Sequence, residues 1–281
     1  MRIAVVRPGH AMSTLFVCEG MENGLKELGV DVVETKTERL ISMQTLIVRQ
    51  FKDLYEKIDT DLNRIAIHAG MENMLARLLY LDYDLLFVVN GRLMSPQIMN
   101  GFDKLPGRRV IWLTESPYED EHQAWLAGHF DFAFVNDKLS LDTIGKVVPS
   151  AYLPHSYDPN TFMRIERPTD RDVFFCYTAF NNRVPVVDAL SSSGLNVLLP
   201  KAGTYKDEET GLEGVRLVPP ERMALMYNTS KINLNVHRTE KMYGTGETIS
   251  EAYSLAPRAY EIAACGAFQL CDNTRGELRD V

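Results

Sequence analysis

Arg258 and Glu261 stand three residues apart in the segment APRAYEIAACG. That spacing puts both on one face of a helix, near its start. A carboxylate there can accept two hydrogen bonds from a vicinal diol such as ribose. A helix N-terminus carrying an arginine offers positive potential to a phosphate. A plain ion pair on a solvated face would use the same two residues. Upstream, the run Ile232–Val236 leads straight into His237 and Arg238, which therefore stand at the carboxyl end of a strand. The run Asp172–Cys176 leads into Tyr177, Thr178, Ala179, Phe180, Asn181, Asn182 and Arg183. A hydroxyl, amides and a guanidinium at a strand end suit a phosphate group, and Arg183 could balance a leaving diphosphate. In the first half, the strand-like RVIWLT is followed by Glu115. A carboxylate at the carboxyl end of a buried parallel strand points at the ligand crevice; capping the next helix is the plainer alternative. His10, in the loop after the first strand, is either a base with a pKa near neutrality or a solvated turn residue.

These residues need a scaffold that gathers strand ends. The first half alternates short β-branched runs with helical stripes: strands at Arg2–Arg7, Val30–Val33, Leu85–Asn90, Arg109–Thr114, Phe132–Asn136 and Ala151–Pro154. Between them lie helical patterns over Thr14–Leu28, Met43–Ile58, Leu62–Leu81 and Pro96–Leu105. The pattern breaks over 155–170, which hold prolines, charges and no periodicity, and then restarts. Strands are expected at Asp172–Cys176, Asn196–Leu199, Val215–Val218, Ile232–Val236 and Ala267–Cys271. Helices are expected over Val184–Leu190, Glu221–Asn228 and Pro257–Cys265. Strands alternating with helices predict parallel sheets covered on both faces. The expected fold class is α/β, with two Rossmann-like doubly wound domains, 1–154 and 171–281, facing each other across a cleft and joined by the linker 155–170.

Composition narrows the function classes. A chain of 281 residues with 45% hydrophobic and 24% charged content is ordinary globular material. No apolar run is long enough for a membrane span. The net charge of -8 disfavours a grip on nucleic acid through phosphates alone, although a local basic groove would still allow it. The loop after the first strand has Gly9 but no G-x-G-x-x-G, so a nicotinamide dinucleotide is not expected. Cys18, Cys176, Cys265 and Cys271 show no C-x-x-C spacing and the histidines no H-x-x-x-H pair, so no metal is expected and a cytoplasmic setting is.

The string SLAPRAYEIAACGAFQLCD (Ser254–Asp272) resembles the C-terminal signature of GT-B glycosyltransferases of the spore-maturation-protein (CgeB-like) type. WLTESP, FAFVND, AYLPHSYDPNTF, DVFFCYTAFNNR and INLNVHR fit the same family in the same order. The resemblance implies transfer of a sugar from a nucleotide-sugar co-substrate to an acceptor hydroxyl, without a cofactor or a required metal. It implies that Glu261 binds ribose and that Arg258 and Arg183 face the diphosphate. His237 and Arg238 would lie near the donor sugar, with Thr178 and the aromatic Tyr260 completing the donor side. The backbone around Leu217–Pro219 would line the base, and Glu115 and His10 would be the acceptor-side catalytic groups. The acceptor stays open between protein, glycan, small metabolite and modified DNA, as does the choice between retention and inversion. Related families place a second glutamate eight positions before the ribose-binding one, where this chain has Tyr253. They also continue past the last strand with helices that return to the first domain, so a short or truncated C-terminal domain is expected. A non-catalytic nucleotide-binding module and a nucleotide-sugar epimerase are the alternatives on the same scaffold.

Overall fold

The computed structural model describes the chain except residues 10, 11, 52, 54–60, 202, 207–212, 217, 242–244, 250, 273 and 281. The first sheet collects β1 (Arg2–Val6), β2 (Asp31–Glu34), β3 (Leu85–Val89), β4 (Arg108–Leu113), β5 (Phe132–Val135) and β6 (Ser150–Tyr152). Every pairing is parallel, in the order β2-β1-β3-β4-β5-β6. The crossovers run through α1 (Met12–Glu27), α2 (Thr37–Gln50), α3 (Leu62–Leu78), α4 (Pro96–Phe102), α5 (Asp120–Ala127) and α6 (Leu141–Ile144). Leu86, Val88, Ile111, Leu113, Ala133 and Val135 are fully buried, which is why these runs read as continuous hydrophobic stretches.

The second sheet has the order β12-β11-β7-β8, again all parallel. It comprises β7 (Arg171–Phe174), β8 (Val197–Leu198), β11 (Ser230–Asn235) and β12 (Gln269–Cys271). The helices α7 (Val184–Ser191), α8 (Pro220–Thr229) and α9 (Pro257–Ala264) cover it, and a 3-10 turn, Gly276–Arg279, closes the chain against the first lobe. On one face Phe174, Cys176, Tyr227, Ile262 and Cys265 form a core under α8 and α9.

Two sequence expectations need adjusting. The second helix begins at Thr37, not Met43. Its first turn is tied down by the Thr37 hydroxyl on Thr35 (2.9 Å) and by Glu38 on Arg7 (3.2 Å), contacts that hydrophobic periodicity does not report. Its expected far end, up to Ile58, falls largely on residues outside those described. The strand expected at 215–218 instead spans β10 (Glu213–Arg216), which pairs antiparallel with β9 (Gly203–Lys206) as a separate ribbon. The neighbouring edge strand β8 offers two residues of ladder, too little to extend the main sheet.

Two backbone features set the geometry near the crevice. A Cβ on Gly70 would come within 2.8 Å of Ile41 Cα, so α3 packs against α2 only because residue 70 has no side chain. At the end of β3, Asn90 adopts a left-handed conformation (φ 71°), followed by Gly91 at φ 70°. This turn aims the Asn90 amide across the carboxyl ends of the strands.

Candidate functional site

The carboxyl ends of the two sheets meet. Glu115, following β4, binds Arg238, following β11, with Nη2 to Oε2 at 2.6 Å. The same guanidinium lies 3.8 Å from the Tyr118 ring centroid. Tyr118 donates its hydroxyl to the Arg238 carbonyl at 2.9 Å and accepts from Arg275 at 2.6 Å. Arg275 also donates to the Arg238 carbonyl at 2.8 Å. Asn90 steadies Glu115 by donating to its Oε1 at 3.3 Å and to the Thr114 hydroxyl at 2.8 Å. Two residues assigned from sequence to opposite substrates are thus ion-paired across the crevice.

Behind this pair lies a group of arginines. Arg183 is buried just before α7, with its Nε donating to the Val236 carbonyl at 2.8 Å and its Nη1 to Thr178 O at 3.5 Å. No carboxylate pairs with it among the described residues. Burial pushes its pKa down to about 9, and the nearby Arg258 and Arg238 add to that. Among the described residues the buried guanidinium has two carbonyls and, at 5.2 Å, the Phe180 ring for partners, so its charge is poorly compensated and attracts an anion. Arg258, in the first turn of α9, lies 5.5 Å from the Phe175 ring centroid and forms no ion pair among the described residues. The N-terminus of α9 has no side-chain cap, so the helix dipole adds to the positive potential there.

Glu261, one turn along α9, is half-buried and accepts a hydrogen bond from the Tyr227 hydroxyl at 3.2 Å. Burial pushes its pKa up to about 7, against the opposing pull of Arg258 and of that hydrogen bond. Cys176, two residues beyond β7, has its thiol pushed up chiefly by burial, with the charges of Arg258, Glu261 and Arg183 acting on it as well.

His237 does not open onto the crevice. It is 3% exposed, with Nδ1 on Asp272 Oδ1 at 3.0 Å and Nε2 accepting from the Ala256 amide at 3.3 Å. Burial lowers its pKa despite Asp272, so the neutral ring acts as a brace between the end of β11 and the start of α9. Tyr260 also lies apart from the arginines. Its phenol is raised by burial and then by the Glu277 carboxylate, at the lobe junction. Thr178 contributes its backbone carbonyl to Arg183 and to the Phe180 amide. His10 and Leu217 lie outside the described residues.

Several residues here had no role in the sequence reading. Asn90 and Tyr118 carry no motif, and Arg275 follows the last strand in a segment without periodicity. His155 was read as linker. It is buried beside Trp112, accepts from the Asn136 amide at 3.1 Å and is pushed down to about 4 by burial, so it is a neutral brace. Asp272 was visible as the strand-ending aspartate, but its partner was not.

A second junction fixes the approach to α9. Asp137, after β5, accepts from the Tyr253 and Ser254 amides at 2.8 and 2.9 Å. Glu277 accepts from the Leu255 amide at 2.7 Å and from the Tyr152 hydroxyl at 2.6 Å. The Tyr253 hydroxyl bonds Asp280 and accepts from Lys138 at 2.9 Å.

His237, Cys271 and Asp272 bring three ligand-type atoms within 4.8 Å of one another. Both imidazole nitrogens are already engaged, and burial together with Asp272 pushes the Cys271 thiol up to about 11. A reluctant thiol beside arginines is a poor cation site. An open depression of about 580 Å³, lined by Arg164, Arg167, Ser230, Lys231 and Phe268 among others, lies at the amino ends of β11 and β12. That is the end of an α/β sheet opposite to where ligands bind.

No curated protein matches the chain's sequence. The chain shares its fold with an α-glucosyltransferase (AGT) solved in complex with UDP, at TM-score 0.57 and 11% identity over 99% of this chain and 82% of that one. The same enzyme solved with UDP and a 13-mer DNA containing an HMU base gives 0.55 and 10%, over 99% and 81%. HepE of Anabaena in complex with UDP-glucose gives 0.56 and 11%, over 100% and 83%. The fold is α/β with parallel sheets, that of the GT-B glycosyltransferases, and residues 183–279, which hold the arginine group and Glu261, match the family model described as "Glycosyl transferase-like".

Proposed function

We propose that the chain is a glycosyltransferase that moves a sugar from a nucleotide-sugar donor to an acceptor hydroxyl held by the first lobe, without a required metal. The observation that carries this is the arginine group at the carboxyl edge of the second sheet, in which buried Arg183 and half-buried Arg258 have no carboxylate partner among the described residues, with Glu261 one turn along the helix that presents Arg258. In this reading Arg258, Arg183 and the α9 amides take the diphosphate, and the Glu261 carboxylate takes the ribose hydroxyls. Charge that builds on the departing diphosphate in an oxocarbenium-like transition state meets fixed positive groups, which is electrostatic stabilisation. His237 acts from behind by holding the start of α9. The relatives in fold were solved with UDP or UDP-glucose, so a uridine nucleotide is the first donor to test. The finer family reading is the spore-maturation-protein (CgeB-like) type, on the strength of the motif order.

Glu115 and Arg238 give the reading a sequence of events. An arriving diphosphate competes with Glu115 for the Arg238 guanidinium. Once released, the Glu115 carboxylate is free to take the acceptor's proton, which an inverting reaction needs. His10 remains the other acceptor-side group assigned from sequence. Among the described residues no helix is long and apolar enough to cross a membrane. The free cysteines fit a reducing, cytoplasmic setting.

The test is calorimetry with UDP, GDP, ADP and their glucose conjugates, followed by product analysis with UDP-glucose. Binding of at least one nucleotide in the micromolar range and release of nucleotide from its sugar are expected. Failure of every nucleotide to bind overturns the reading. Binding with no release of nucleotide and no change in the sugar points to the non-catalytic module, and conversion of the sugar without release points to the epimerase.

A further inference from the structure

We propose that Glu240 reads the hydroxyls of the transferred sugar, an inference that rests on the nucleotide-sugar reading above. Glu240 is 2% exposed, on the loop that follows β11. That loop folds back on itself: Glu240 bridges Thr248, the Lys241 amide donates to Glu247 O at 2.8 Å, and the Ile249 amide donates to Thr239 O at 2.9 Å. The backbone at Glu240 is therefore held in place from both sides. Among the described residues its Oε2 has one long contact, from the Asn181 amide at 3.4 Å, and its Oε1 has no partner. No cation pairs with it among the described residues. Beside it, Asn182 gives its amide nitrogen to the His237 carbonyl at 2.7 Å, and its own oxygen is left without a donor among the described residues.

Two acceptor oxygens, one of them on a buried carboxylate, thus lack donors where the loops after β7 and β11 meet. Leaving such a group unmet is costly, and a charged group more so. The chemistry that satisfies it is a pair of hydroxyl donors. The position along the chain agrees. Asn181 and Asn182 directly precede Arg183, Glu240 lies two residues beyond Arg238, and Asn182 bonds the His237 carbonyl, so the two loops that carry these oxygens also carry the Arg183 and Arg238 guanidiniums. In a nucleotide sugar, the hydroxyls bordering the diphosphate on the side away from the ribose belong to the sugar. The position eight residues before Glu261 is not available for this role, since the Tyr253 side chain is spent on Lys138 and Asp280.

The experiment compares wild type, Glu240→Gln and Glu240→Ala by calorimetry with UDP, UDP-glucose and the 3-deoxy and 4-deoxy analogues of UDP-glucose. The expected result is UDP affinity unchanged within twofold in both variants, UDP-glucose affinity at least tenfold weaker, and no discrimination in either variant against whichever deoxy analogue the wild type rejects. Glu240→Gln should melt no lower than wild type, because it removes an unpaired buried charge. UDP-glucose affinity retained in both variants overturns the proposal alone and leaves ordered water as the partner of Glu240. UDP and UDP-glucose weakened together, with a lower melting temperature, overturns it in favour of a structural role. A wild type that binds none of UDP, GDP, ADP or their glucose conjugates removes the nucleotide-sugar reading and this proposal with it.

Discussion

Glu261 offers a test in which fold stability and ligand binding move in opposite directions. Its pKa stands at about 7 against an ordinary 4.5, chiefly because burial penalises the carboxylate. For an acid raised in the folded state, ionisation costs stability. The cost is absent below the unfolded pKa, grows as pH rises through the interval up to about 7, and is complete above it. At 1.36 kcal/mol per unit the shift corresponds to about 3 kcal/mol at most, and to about 1–2 kcal/mol once the residue's remaining exposure is allowed for. Glu261→Gln should therefore be more stable than wild type at pH 8 by about 1–2 kcal/mol, with the advantage gone near pH 4.5. Binding should show the reverse. If the ribose needs the carboxylate, the competent fraction at pH 6 is about one tenth, and the UDP affinity of wild type should be about tenfold weaker at pH 6 than at pH 8. The glutamine variant, titrated with the same UDP, isolates the phosphate's own protonation and should bind at least tenfold more weakly than wild type at pH 8. Urea unfolding and calorimetry across pH 5–8 read both quantities. A variant less stable at pH 8 would mean that the carboxylate is not penalised, and one that binds UDP as wild type does would mean that it is not used; either would refute the reasoning.

Other outcomes follow from single contacts. Glu115→Gln weakens the hold on Arg238 and should tighten UDP binding about three- to tenfold while transfer falls by about 10²; tighter binding with undiminished transfer would remove Glu115 as the base. Arg183→Ala should weaken UDP by about 10²-fold and uridine less than threefold, as a charge-assisted contact to phosphate predicts. Equal losses would move the diphosphate elsewhere. Gly70→Ala forces a methyl against Ile41 and should cost about 1–3 kcal/mol, read as a lower urea midpoint; an unchanged midpoint would mean that α2 and α3 are loosely packed.

The strands were legible because they are buried on both faces: LLFVV and RRVIWL leave little ambiguity. The helix over Pro257–Ala264 was legible from its proline at the first turn and Gly266 after its end. What the sequence could not carry was partnership. Glu115 and Arg238 were each placed at a strand end, yet nothing local says that they face one another, since their contact spans 123 positions. His237 has the chemistry of a substrate group, but Asp272 and the Ala256 amide occupy its ring, and both come from elements closed only by the fold. The first turn of α2 was missed for a similar reason, because Arg7 and Thr35 hold it in place of an apolar stripe.

Asp137 and Glu277 collect three consecutive amides just ahead of Pro257, one carboxylate from each side of the molecule. The helix proposed to meet the diphosphate is therefore anchored to the opposite lobe as well as to its own. Any swing that parts the lobes must either tear those amides from their oxygens or carry that helix along. On the proposed reading, admission of the donor and movement of the lobes are a single mechanical event, with the pivot built into three peptide bonds.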